Sequence, residues 1–143
     1  MEKKDKISES SFSFVEYKIH KSTLILSDTE ISRKMHFEIN PSGEFVDEDK
    51  FILTLDVHVN DESHYFDVEL EMRGTFMYKA TDLERFIKFI SINAPAIMFP
   101  YIRAYVSTLT SLSGIPTIMM PTINMEAVGK QLLEIIKDKI NKA

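Results

Sequence analysis

The sequence predicts an α+β fold, an antiparallel sheet with helices packed on one face, and three observations carry that prediction. Apolar and polar residues alternate with a period of two from Ser11 to about Met72. From Leu83 onward the apolar residues recur at helical spacing instead. Strands therefore come first and helices afterwards, which is the order of an α+β chain rather than of alternating βα units.

The first strand is read from Val15, Tyr17 and Ile19, which alternate with Glu16 and Lys18. A second follows from Met35, Phe37 and Ile39, set against Lys34, His36 and Glu38. Pro41-Ser-Gly43 has turn composition and is expected to end it. After Asp47-Glu-Asp49, the residues Phe51, Leu53, Leu55, Val57 and Val59 line one face of a third strand. Asn60-Asp-Glu-Ser63 is a polar tip, and Phe66, Val68, Leu70 and Met72 form the apolar face of the return strand. These last two strands make a hairpin. Pairing Asn60 with Ser63 would set His58 against Tyr65, Asp56 against Asp67 and Thr54 against Glu69.

Thr81-Asp-Leu-Glu84 has the spacing of a capping box, so a helix is expected to start there, carrying Leu83, Phe86, Ile87 and Ile90. Asn93-Ala-Pro95 interrupts it and starts a second helix. That helix runs past Pro100, where a kink is expected, to Leu112, and ends at Ser113-Gly114. Ile115 to Asn124 contains Pro116 and Pro121 and is expected to be irregular. The final helix, Met125 to Ile140, places Val128, Leu132, Ile135 and Ile136 on one side and Lys130, Lys137 and Lys139 mainly on the other. Gly129 weakens it by up to about 1 kcal/mol relative to Ala, so packing must hold it in place.

The 143 residues suit one domain, assigned to residues 11–143 behind a flexible N-terminal segment, 1–10. A formal charge of -5 argues against nucleic acid, whose phosphates call for clustered Lys and Arg. The chain has no cysteine, which removes disulfides, thiolate metal sites and thiol nucleophiles, and fits a reducing cytoplasm. No continuous apolar segment follows the charged N-terminus, and the uncharged block Ala94 to Ile102 is too short for a bilayer span of ~20 residues. Neither secretion nor membrane insertion is expected.

Catalytic signatures are absent. His20, His36, His58 and His64 lack helical zinc-site spacing, and the proposed register puts His58 and His64 on opposite faces, so no metal is expected. The four glycines build no phosphate cradle, and no serine lies in a nucleophile elbow. The chain reads as a non-enzyme with no cofactor.

Two features call for a function. The hairpin collects Asp56, Asp67, Glu69 and Glu71 on its solvent face, either for solubility or as a docking surface for a basic partner. The segment Ser91 to Met125 holds four of the chain's five prolines and four of its eight methionines, with Arg103 its single charge. Loops normally carry polar residues, whereas Ile115-Pro-Thr-Ile-Met-Met-Pro-Thr-Ile-Asn124 is mostly apolar. Adaptable methionines on an open, proline-stiffened loop suit contact with apolar peptide segments. The same composition would also serve domain core, a subunit interface in a non-chaperone oligomeric module, or a carrier of small apolar ligands.

At these residues the sequence resembles the SecB family of export chaperones. Ala94-Pro-Ala-Ile-Met-Phe-Pro-Tyr-Ile-Arg103 is similar to the family's pattern near its long helix. Gly114-Ile-Pro-Thr-Ile-Met-Met-Pro-Thr-Ile-Asn-Met125 is similar to its proline-rich loop, and Gly74-Thr-Phe76 to its glycine and aromatic after the fourth strand. The resemblance extends from about Phe12 to Val128. It implies a four-stranded antiparallel sheet, a kinked long helix and a C-terminal helix packed on one face, and a homotetramer built as a dimer of dimers. It also implies an ATP-independent holdase that keeps unfolded preproteins export-competent in apolar grooves. Client contacts would then fall on Phe99, Ile115, Ile118, Met119, Met120 and Ile123. SecA would be a further partner, its basic tail docking on Asp56, Asp67, Glu69 and Glu71. The chain departs from the export members in three places. Thr23 and Ser27 stand near their first-strand acidic residues, the stretch between Asp28 and Gly43 is shorter, and Lys-Asp-Lys-Ile-Asn-Lys-Ala143 stands in place of a long acidic tail. Solitary SecB-like chaperones that protect an aggregation-prone antitoxin are the close alternative within this resemblance.

Overall fold

The computed structural model describes residues 12–142, and the flexible segment expected over residues 1–10 lies outside them. Strands β1 (Ser13–Leu26), β2 (Met35–Asp47), β3 (Lys50–Asp61) and β4 (Phe66–Met77) form one antiparallel sheet in the order β1-β4-β3-β2. Two consecutive hairpins, with the remaining strand returning beside β4, give the order of a Greek key. Helices α1 (Leu83–Ile92), α2 (Ala94–Leu112) and α3 (Glu126–Asn141) follow, as the change of period predicts.

The core lies between sheet and helices. Phe51, Leu53, Leu55, Val57 and Val59 of β3 are buried, as are Phe66, Val68, Leu70, Met72 and Phe76 of β4. The period-two prediction is cleanest there because these are the two central strands, with one face dry along their whole length. From the helices, Phe86, Ile90, Met98, Ile102, Val106, Leu132 and Ile136 close the core. Phe86 stacks on Tyr78 with ring centroids 4.1 Å apart and meets Phe51 edge-on at 5.8 Å.

Four local readings are corrected. Val15 is exposed rather than on the core face, because β1 carries register shifts between Phe14 and Glu16 and between Ile19 and Lys21. Each extra residue reverses the phase of the alternation, so Phe14 and Tyr17, three apart, face the same way and stack at 6.3 Å.

Pro41-Ser-Gly43 is strand, not turn. β2 is an edge strand, where a residue without an N–H loses no ladder bond, and Pro41 pairs with Leu55. Gly43 is required by packing. A Cβ there would lie 2.3 Å from Phe51 Cζ, so its absence lets the ring cover the strand.

The β3–β4 hairpin pairs Asn60 with Asp67, His58 with Glu69, Asp56 with Glu71 and Thr54 with Arg73, four residues away from the predicted register. The tip is wider than the polar run suggests because Asp61 organises it. Its buried carboxylate accepts from Ser63 Oγ at 2.7 Å, Phe66 N at 3.2 Å and, from the β1–β2 crossover, Ser32 N at 2.8 Å. Burial acts to raise this carboxyl's pKa, but the hydrogen bonds from Ser32, Ser63, Phe66 and Tyr65 outweigh it and hold the group below its ordinary value. The crossover is also tied to the tip by Ser27 N to Tyr65 O at 2.9 Å and Ser27 Oγ to His64 O at 2.7 Å.

The predicted capping box is not formed. A short 3-10 turn, Ala80–Asp82, precedes α1, and neither start has a side-chain cap. The bent α2 does begin with proline in its first turn, contains Pro100 and gives way at Gly114, whose φ is 82°. Among the described residues no helix is long and apolar enough to cross a membrane.

Candidate functional site

The segment 115–124 has no regular secondary structure, yet its backbone is anchored. Thr110 Oγ1 on α2 accepts from the Ile118 amide at 3.0 Å, and Ser107 Oγ donates to the Ile118 carbonyl at 3.1 Å. With both of its backbone groups held by α2, Ile118 points inward and is 6% exposed. Its neighbour Met119 is then turned out, at 69% exposure, while Met120 turns back in and is fully buried. Neither hydroxyl could be identified from sequence, because serine and threonine within a helix more often return to their own helix carbonyls.

The six residues assigned to client contact therefore separate. Ile115, Ile118 and Met120 are buried in the chain's own core, Ile123 is partly buried, and Met119 is exposed. Phe99, 8% exposed, lines a groove of about 410 Å³ with Pro100, Arg103, Ala104, Ser107 and Thr122. That groove runs between α2 and the anchored loop. Another, of about 470 Å³, lies between the end of α1 and the start of α3, lined by Ser91, Ile92, Ala96, Met125, Gly129 and Leu133 among others. Ile92, 69% exposed, and Leu112, 83% exposed, add to the apolar surface at the ends of their helices. The 470 Å³ groove was not foreseen, because it is formed by two segments, residues 91–96 and 124–133, that are distant in sequence.

The acidic cluster also changes character. Asp56, Asp67, Glu69 and Glu71 do share the outer sheet face, since a shift of register by four residues preserves facing. Basic residues, however, are interleaved among them. Lys21 of β1 meets Glu69 at 3.2 Å and Arg73 meets Glu71 at 3.0 Å. Asp67 takes a close contact from His58 and lies 3.7 Å from His64. His58 and His64 thus converge on one carboxylate instead of occupying opposite faces, because His64 belongs to the turn, at φ 55°, and not to the strand. Among the described residues Asp56 alone of the four acids has no ion-pair partner. Burial, and then the charge of Glu71 opposite, raise its pKa above the ordinary carboxylate value.

An α+β domain with a Greek-key sheet, a bent proline-containing helix and an anchored apolar loop is the class defined here, and comparison with known proteins places it more closely. The family described as preprotein translocase subunit SecB matches residues 12–134. The chain belongs to the SecB family. Protein-export protein SecB of Alcanivorax borkumensis is 29% identical over 104 residues, 68% of this chain and 66% of that one. Its counterpart in Pseudomonas syringae pv. tomato is 32% identical over 84 residues, 58% of this chain and 51% of that one. An uncharacterised protein of Methanocaldococcus jannaschii is 31% identical over 75 residues, 52% of this chain and 48% of that one. The chain thus spans between about half and two thirds of the length of these curated relatives. Among solved structures, a SecB-like chaperone of Mycobacterium tuberculosis, in complex with an antitoxin peptide, superposes with a TM-score of 0.67 at 14% identity, covering 79% of this chain and 88% of that one. It shares the fold.

Proposed function

We propose that this protein is a chaperone without catalytic activity that holds non-native polypeptides on the apolar surface around α2 and the loop 115–124. The observation that carries the reading is the combination of an anchored loop backbone and an outward methionine. Met119 is displayed on the loop's surface rather than absorbed into the core, and Thr122 of the same loop lines the α2 groove. A methionine held this way can adapt to many side chains while its loop contributes little ordering cost on binding. The SecB names of the relatives support the chaperone reading and an export role.

The client class has two readings. Unfolded preproteins follow from the export relatives. An antitoxin is favoured by the fold neighbour bound to an antitoxin peptide and by the departures at Thr23 and Ser27. Delivery to SecA through Asp56, Asp67, Glu69 and Glu71, assembly as a dimer of dimers, and a cytoplasmic location belong to the same proposal.

The test is suppression of aggregation of a reduced, unfolded protein without nucleotide, at stoichiometric ratio. The intact protein should suppress it, and Met119→Asp should weaken binding about tenfold or more without changing the assembled mass. Met120→Asp is not an equivalent probe, because that side chain is buried and a charge there would damage the fold. No suppression by a stable assembly would overturn the holdase and leave the loop as interface.

A further inference from the structure

On the solvent face of the β3–β4 hairpin, one donor atom from each of His58, Asp67 and Glu69 lies within 4.8 Å of the others. His58 pairs directly with Glu69 across the ladder, and Asp67 is two residues along the same strand on the same face. His64 brings its Nδ1 to 3.7 Å from the second oxygen of Asp67. We propose that this cluster is a binding site for a divalent transition-metal ion of borderline softness, with His58 Nε2, Asp67 and Glu69 as ligands and His64 as the fourth donor.

The chemistry of the donor set selects the ion. One or two imidazoles with two carboxylates suit Zn²⁺ and its neighbours, whereas Mg²⁺ and Ca²⁺ prefer all-oxygen shells. Ligand bonds of about 2.0–2.2 Å in a tetrahedral site put donors roughly 3.3 Å apart, so the close His58–Asp67 contact must open while the wider separations, none above 4.8 Å, close by up to about 1.5 Å, both within reach of side-chain rotation. The carriers hold still meanwhile. Three of the four donors stand on paired strands, whose spacing is fixed by the ladder, and the fourth stands on a turn braced by the buried Asp61. Asn60 Nδ2 lies 3.3 Å from His64 Nδ1, and this hydrogen bond would be given up when that nitrogen turns to the ion.

What the ion displaces is weakly held. Lys21 would release Glu69, and that pair is exposed on both sides. His58 and Asp67 are only partly exposed, so their contact already lies in a partly desolvated setting. Two imidazoles converging on one carboxylate are a more specific arrangement than the acidic surface needs for solubility. It is invisible as a sequence motif because the ligands come from both arms of a hairpin and its turn. Occupancy would cancel the charge of Asp67 and Glu69, so the same face would present two different electrostatic surfaces.

The probe is Zn²⁺ alone, titrated into the full chain in competition with a chromophoric chelator. One ion per chain should bind with a dissociation constant below about 100 μM. His58→Ala and Asp67→Asn should each weaken binding about tenfold or more, whereas a His20→Ala/His36→Ala double variant should leave it unchanged. Visible absorption of bound Co²⁺ should be lost with the same two single variants. Circular dichroism and assembled mass identify any variant that fails to fold, in which case His58→Gln replaces His58→Ala. Absence of saturable binding below that concentration overturns the site. So does binding that survives both His58 and Asp67 changes, which would put the ion elsewhere.

Discussion

Thr110 Oγ1 accepts the Ile118 amide at 3.0 Å while donating to the Val106 carbonyl at 2.8 Å, so one buried hydroxyl joins the bent helix to the apolar loop. Thr110→Val keeps the volume and removes the acceptor. The buried Ile118 amide would then lack a partner, at a cost of about 1–3 kcal/mol. The expected result is a lower denaturation midpoint and faster hydrogen exchange at Ile118. Thr110→Ser, which retains the oxygen, should keep the amide protected.

Gly129 packs against the end of α1, where an added Cβ would stand 2.0 Å from Ser91 O. The obstacle is backbone and cannot rotate away. Gly129→Ala improves helix propensity by about 1 kcal/mol, yet the forced separation of α1 and α3 should outweigh it, for a net loss of about 2 kcal/mol. Thermal unfolding at fixed protein concentration checks the sign. A stabilised Gly129→Ala variant would mean that the two helices are not held this closely.

Asp61 provides a pH test. Its folded-state pKa is lowered, so its contribution is present above the unfolded value near 3.9 and is lost as pH falls through the folded value. Asp61→Asn should therefore be destabilised at pH 7, by roughly 1–3 kcal/mol given the hydrogen bonds it weakens, and the gap to the unmodified protein should narrow at pH 3. Urea midpoints at the two pH values decide it. An equal gap at both would assign the effect to shape rather than charge.

Asp56 runs the opposite way. Its pKa is raised, by burial first and Glu71 second, so its ionisation opposes folding at neutral pH and ceases to do so below about pH 4. Asp56→Asn should leave stability unchanged or raise it by up to about 0.5 kcal/mol at pH 7, a small effect because the residue is exposed. The difference should disappear near pH 3. A clear loss of stability at pH 7 would contradict the like-charge reading of the Asp56–Glu71 pair.

Much of the molecule follows from local patterns that the sequence alone determined. Alternation along Phe51 to Val59 and Phe66 to Met72 marks the two central strands, because each has one continuously dry face and no irregularity to change its phase. Pro95, Pro100 and Gly114 determine where α2 starts, bends and stops, since missing N–H groups and a left-handed φ act within a turn of their own position. Placing the acids on the outer face also needed only parity, which survived a register error of four residues.

Only the tertiary structure decided the rest. The bulges that expose Val15, the edge position that admits Pro41 into a strand, and the wide tip organised by Asp61 depend on a second segment that the local sequence does not contain. The same holds for the opposite fates of Met119 and Met120, adjacent and identical in type, which are separated by two hydroxyls that bond the neighbouring Ile118 backbone yet lie up to thirteen positions away in sequence. His58 and His64 meet at Asp67 for the same reason. Periodicity reports which side of an element is dry, a property of that element alone, whereas register, exposure at a loop tip and convergence of donors are set by the free energy of packing two segments together.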